Sequence, residues 1–172
     1  MEKELELKLQ EEFPFMKQNH VSEEKNSYKK WGCQCDSGWF DIIYDCCRQI
    51  AERYAQDGVQ IDFQPEQIRE KFGTLRFDYM YTDASGENIT EEAKKALRED
   101  IAVIVRAAEK RSETTCELCG DTSAAIRAGL GRAVTLCEPC ISKYITLREN
   151  EQKEMNDKAK KLYEEIVKNK KG

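Results

Sequence analysis

The sequence predicts an α+β protein in which a small antiparallel sheet packs on helices. Three observations carry this. Leu75, Phe77, Tyr79 and Tyr81 alternate with Thr74, Arg76, Asp78 and Met80, the period-two pattern of a half-buried strand. Two longer stretches, about 37–56 and 90–111, repeat apolar residues at three- and four-residue steps, as amphipathic helices do. Late in the chain four cysteines fall in two close pairs, Cys116 with Cys119 and Cys137 with Cys140. They lie in a segment too short to bury a core of its own.

The elements follow in order. Residues 2–12 form a short helix with Leu5, Leu9 and Phe13 on one side, and Pro14 ends it. Residues 17–32 are polar and read as an exposed loop. Asp36 or Ser37 caps the helix at 37–56, whose stripe is Trp39, Ile43, Cys46, Ile50 and Tyr54, and Asp57-Gly58 stops it. Val59, Ile61 and Phe63 alternate as a short strand, and Pro65 opens a one- to two-turn helix through Phe72, closed by Gly73. The aromatic strand at 75–81 then pairs with the strand at 59–63. A turn-rich loop spans 82–88. Thr90 caps the helix that runs to about Arg111, with Ile89 as its staple and Ala93, Leu97, Ile101, Ile104 and Ala108 facing inward. Ile126 and Leu130, then Val134 and Leu136, suit short strands between the cysteine pairs.

The cysteine spacing is C-x2-C, seventeen residues, C-x2-C, within the range of a tetrahedral zinc site. Gly120 follows the first pair, where the turn around an ion calls for positive φ. Four thiolates saturate such an ion, so the site is structural, whereas catalytic zinc keeps a position open for water. A pair of disulfides is the rival reading. The chain thus divides into an α+β body at 1–113, a zinc-ribbon module at 114–141 and a C-terminal helix at 142–172. That helix, starting near Glu138, carries Ile141, Ile145, Met155, Ala159, Leu162 and Ile166 at heptad spacing, interrupted by Arg148 and Gln152. Docking of its apolar ends on the rest of the protein and homodimerisation through a coiled coil are both open.

Composition narrows the function. Of 172 residues 40% are hydrophobic and 35% charged, and the net charge of −5 speaks against a protein that coats nucleic acid. The acidity is uneven: Lys110 to Arg148 is mildly basic, and Lys110, Arg111, Arg127 and Arg132 there are candidate phosphate contacts for a zinc-ribbon nucleic-acid regulator. No aromatic residues interleave with them in the sequence for base stacking. No apolar run reaches membrane-spanning length, and the charged N-terminal stretch is unlike a signal peptide, so the cytoplasm is expected, where thiols stay reduced and metal is favoured over disulfides.

Other constellations are weaker. Cys33, Cys35, Cys46 and Cys47 read as small buried side chains, and a second metal site would draw on Cys33 and Cys35 with Cys46 or Cys47 and His20. His20 is the only histidine, which leaves no room for most His-based catalytic sets. Asp62, Asp78, Asp83 and Glu87 are the carboxylates that an unrecognised activity would use, but their spacing marks no site, and no catalytic residues are assigned. A pocket between Trp39, Arg76 and the 82–88 loop is the candidate for a small-nucleotide site. Trp31, Trp39 and Phe40 are core aromatics or a partner-binding patch.

Two stretches carry a resemblance. Trp31-Gly32, Cys35 and Gly38-Trp39-Phe40 open a helix, and Ile68 through Phe77 reads IREKFGTLRF. Together with the downstream cysteine pairs, this order resembles a group of small bacteriophage and prophage proteins of uncharacterised function, over about residues 11–141. The charged C-terminal helix lies outside the resemblance. It implies phage origin and a bacterial cytoplasm and brings no catalytic residues. The expected function is a non-enzymatic accessory protein with a structural zinc ion that binds a host protein, by analogy with small acidic phage proteins that block host defence systems.

Overall fold

A computed structural model of the protein describes residues 1–17, 26–82, 89–129 and 131–169. His20, the loop at 83–88 and Leu130 lie outside them. The chain falls into two compact units, Met1–Cys137 and Glu138–Gly172.

The first unit is a mixed α/β structure. Helix α1 (Lys3–Glu12) buries Leu9, and a 3-10 turn at Pro14–Met16 follows. Helix α2 (Ser27–Trp31), capped by the Asn26 side chain accepting from Lys29 N–H, occupies part of the stretch expected to be a loop. Its polar sequence, SYKKW, hid a single turn that buries only Tyr28. Strand β1 is Cys33–Gln34. Helix α3 (Phe40–Asp57), preceded by a 3-10 turn at Ser37–Trp39, buries the expected stripe, and Gly58 caps it at φ 64. Helix α4 (Glu91–Ser112) starts where Thr90 Oγ1 accepts from Ala93 N–H, and it buries Leu97, Ile101 and Ala108 as expected, with Val105 also buried and the expected Ala93 and Ile104 half-buried. It packs between α3 and strand β3 (Thr74–Tyr81).

Between α3 and β3 the sequence expectation fails. Residues 59–62 form no strand, and 65–72 form no helix. Strand β2 runs Phe63–Lys71 and pairs antiparallel with β3, from Phe63 opposite Tyr81 to Lys71 opposite Thr74. Pro65, read as a helix start, sits where the register shifts between Pro65 and Gln67. A bulge of this kind tolerates a residue with no N–H to give the ladder. β1 adds parallel to β2, with Cys33 opposite Ile68, so the body sheet has three strands in the order β1-β2-β3.

The β2–β3 turn consists of Phe72 and Gly73, at φ 55 and 81. Two successive positive φ values make the primed hairpin turn whose twist matches that of the strands. Such turns favour Asn-Gly, and Phe-Gly gave no such cue. β3 is an edge strand, and α4 closes its open edge. Leu75 N–H donates to Ser112 Oγ at 2.8 Å and Phe77 N–H to Glu109 Oε1 at 3.1 Å, which satisfies donors that another chain would otherwise find.

A second sheet pairs β4 (Ala125–Arg127) antiparallel with β5 (Val134–Leu136). The second unit is one continuous helix, α5 (Glu138–Asn169), of 32 residues. No helix among the described residues is long and apolar enough to cross a membrane.

Candidate metal centre

The first cysteine pair is positioned by backbone geometry. Gly120, at φ 80, turns the chain so that its N–H reaches Cys116 O at 2.9 Å, and Cys116 N–H reaches Asp121 O at 2.7 Å. Glu117 N–H donates to Thr135 O at 2.9 Å, tying this turn to β5, which leads directly into Cys137. Of the second pair, Cys137 immediately precedes α5 and Cys140 lies in its first turn.

The Sγ atoms of Cys116, Cys119, Cys137 and Cys140 all lie within 4.8 Å of one another. A tetrahedral ion with metal–sulfur bonds of about 2.3 Å needs sulfurs about 3.8 Å apart, and Cys119 Sγ lies 3.6 Å from Cys137 Sγ. All eight cysteines are free thiols, so the disulfide reading is overturned. Burial works against a Cys116 thiolate, but hydrogen bonds from the backbone of Cys137, Cys119 and Leu118 outweigh it and hold the thiol below its ordinary range. Donors aimed at the sulfur are what a thiolate ligand needs. The four residues therefore fit a metal ion, and their number leaves no protein ligand lacking.

The body grips the first pair through the residues that open α3. Gly38 N–H donates to Glu117 O at 2.8 Å, and Trp39 Nε1 donates to Thr115 O at 2.7 Å from full burial. A Cβ on Gly38 would lie 2.3 Å from Cys116 O, 2.5 Å from Glu117 O and 2.6 Å from Gly120 N, so only glycine fits. Gly38 and Trp39 are thus the seat of the turn that carries the first cysteine pair. Gly73 plays a similar part for the second sheet: Thr135 Oγ1 donates to Gly73 O, and Ile126 Cγ2 lies 3.0 Å from where a Gly73 Cβ would be. Burial lifts the Glu117 carboxyl to about 7 against the pull of Arg132, and the carboxylate accepts from Asp36 N–H at 3.3 Å.

The remaining sequence candidates do not gather into a second site. Cys33, Cys35, Cys46 and Cys47 are core residues, and among the described residues they form no group that could hold an ion. Burial pushes the Cys35 and Cys46 thiols up to about 12 and those of Cys33 and Cys47 well above their ordinary value. Asp62 is buried, accepting from Tyr54 OH at 2.5 Å and facing Arg98 at 3.8 Å, whereas Asp78 is exposed and pairs with Arg69 at 3.9 Å. The two carboxylates face different surroundings and share no site. Trp39 is fully buried with its one donor engaged, so it offers no open wall to a pocket with Arg76, and residues 83–88 of the loop that would complete the expected pocket lie outside the described residues. Of the basic residues, Arg132 meets Glu70 and Glu117, Arg111 meets Asp45 at 2.9 Å, and Lys110 meets Glu113 at 2.5 Å. These three cations face the protein's own carboxylates, and Arg127 lies on β4.

Sequence reasoning missed Phe72. Its ring is 75% exposed at the tip of the β2–β3 hairpin, beside Lys71, in a left-handed conformation that an aromatic residue rarely adopts. The neighbouring Gly73, which forces the turn, was the available signal.

Fold and site together define a small mixed α/β protein with a four-cysteine cage that could hold one metal ion. Compared with family models, curated proteins and solved structures, the chain matches none.

Proposed function

We propose that this chain is a non-enzymatic accessory protein of phage origin in which one structural zinc ion, held by Cys116, Cys119, Cys137 and Cys140, fixes a surface that binds a host protein. The closed set of four thiols carries the reading. Zinc is the usual occupant of a four-thiolate tetrahedron, and a saturated ion offers no open position for substrate. When bound, the ion supplies folding free energy to a segment with few apolar side chains of its own.

The contact surface in this reading is the β2–β3 hairpin tip. Phe72 gives up about 1 kcal/mol to left-handed strain and receives no burial in return. An outlier of this kind, with Ile126 exposed nearby on β4, suits an anchor that a partner protein buries. The resemblance to small phage proteins supplies the host cytoplasm as the setting and a defence component as the class of target. The nucleic-acid alternative loses ground because Arg132, Arg111 and Lys110 are already ion-paired.

Elemental analysis of the purified protein should return one zinc per chain, falling to a small fraction in Cys116→Ser and Cys140→Ser. Host lysate passed over metal-loaded protein should leave a bound protein that Phe72→Asp no longer retains. Metal-free wild-type protein refutes the scaffold, and retention unchanged by Phe72→Asp refutes the surface.

A further inference from the structure

Helix α5 presents a seam with an unusual order of residues. In heptad terms Ile145, Gln152 and Ala159 occupy a positions, and Ile141, Arg148, Met155 and Leu162 occupy d positions. The seam is open in the chain: Ile145 is 39%, Leu162 58% and Met155 64% exposed. Large apolar side chains repeating in register along a helix that leaves them in water mark a surface awaiting cover.

We propose that a second copy of this chain covers it, through an antiparallel two-stranded coiled coil of α5 with its dyad between residues 153 and 154. The order of the seam residues selects this arrangement. With the dyad there, Ile145 lies against Leu162 of the second copy and Gln152 against its Met155. Arg148, the longest seam residue, lies against Ala159, the shortest. Because a two-fold contact is isologous, every pairing occurs twice. The polar middle, which looks like a defect in a single helix, becomes two layers that match a long side chain with a small one and an amide with a thioether.

The flanks agree. At the g positions Glu151 falls within two residues of the level of Lys158 of the second copy, again twice. At the e positions Glu149 faces Asn156 and Ser142 faces Tyr163. No like charges meet. A parallel pairing of the same helices fails on the same residues. It stacks Arg148 on Arg148 and Gln152 on Gln152 in the core, and at its g–e′ contacts it sets Glu151 beside Asn156 and Lys158 beside Tyr163, with no ion pair gained. In the single chain Arg148 bonds Glu151 at 3.0 Å and Gln152 bonds Asn156 at 3.1 Å. These local contacts hold both seam residues on the helix surface and leave Glu151's second oxygen for Lys158.

Sedimentation equilibrium of the metal-loaded full chain, from micromolar to sub-millimolar concentration, tests this. The expected species is a dimer of the 20.0 kDa chain that dissociates on dilution. Leu162→Glu removes two apolar layers at once and should raise the dissociation constant at least about a hundredfold. Glu151→Lys sets lysine against Lys158 and should weaken association about tenfold, and adding Lys158→Glu to it should restore the wild-type constant. That reversal is specific to the antiparallel register and does not depend on how any single variant folds. A chain monomeric throughout overturns the proposal, as does a dimer indifferent to Leu162→Glu or a double charge swap that fails to rescue. A monomer whose capture of a host protein is lost in Leu162→Glu assigns the seam to that partner instead, and equally overturns it.

Discussion

Gly38→Ala places one methyl group where the body meets the metal-binding turn. Gly38 is not at positive φ, so the backbone accepts alanine and the cost is purely steric. The added carbon would sit 2.3–2.6 Å from three backbone atoms of Cys116, Glu117 and Gly120. Ordinary contact begins near about 3.4 Å, so the turn must retreat by about 1 Å, and backbone atoms cannot swing aside as a side-chain tip can. That retreat stretches the Gly38 N–H to Glu117 O and Trp39 Nε1 to Thr115 O bonds, each worth about 1 kcal/mol. With overpacking of about 1–3 kcal/mol, the loss comes to about 3–5 kcal/mol. In a domain of this size about 2–4 °C accompanies each kcal/mol, so melting should fall by about 6–20 °C. Circular dichroism melts of the metal-loaded protein measure it, with chelator-driven metal release followed in parallel and expected to quicken. Gly58→Ala is the control. Nothing lies within 4 Å of its Cβ position, and it pays only the left-handed strain of about 1–2 kcal/mol. A Gly38→Ala protein that melts no lower than the Gly58→Ala control would refute the argument that this glycine is the seat of the turn.

Three further outcomes are expected. Tyr54→Phe removes a hydrogen bond to the buried Asp62 carboxylate and should cost about 1.5–3 kcal/mol by chemical denaturation, with the urea slope unchanged. Phe72→Gly relieves the left-handed strain at an exposed position and should raise stability by about 1 kcal/mol while abolishing partner capture; a loss of stability would show that the ring packs on something. Cys33, Cys35, Cys46 and Cys47 should resist alkylation at pH 8 in the folded protein. Burial holds their pKa above the ordinary value, so below it they are neutral thiols, and the reactive thiolate gains only as pH climbs toward about 12 for Cys35 and Cys46. Mass spectrometry showing any of the four labelled before unfolding would contradict their place in the core.

The parts of the fold that declared themselves in sequence are those whose burial follows one period over several turns. The stripe of α3 from Trp39 to Tyr54, the inward face of α4 and the alternation of β3 needed nothing from the rest of the chain. The cysteine cage was legible for the same reason, since two-residue spacing is set by the ion's own geometry. What was illegible depends on distant partners. β2 is a strand because β3 lies beside it, and its bulge at Pro65 disguises both its period and its proline. β1, two residues long, exists only as an addition to β2. The Phe72-Gly73 turn was hidden by an aromatic residue in a position that usually takes asparagine. The role of Trp39 was illegible because an indole with an apolar ring and one donor serves a buried joint as well as a ligand site, and only the carbonyl of Thr115 decides which.

That joint ties the start of α3 and the β2–β3 hairpin to the segment that carries the cysteine pairs. Gly38 and Trp39 hold the first pair's turn from one side, and the hairpin ending in Gly73 holds the second sheet from the other, through Thr135 and the ion pairs of Arg132 with Glu70 and Glu117. A metal-bound segment supported only by its ion could be appended to any body, and its sequence would be free of the body's. Here the contact distances forbid a single methyl at Gly38, so the start of α3 and the turn of the first cysteine pair are built as one piece. β4 and β5, which lie between the cysteine pairs in sequence, rest against Gly73 at the base of the hairpin whose tip displays Phe72. On the function proposed above, loss of the ion should weaken partner capture, which a chelator added to the lysate assay would measure.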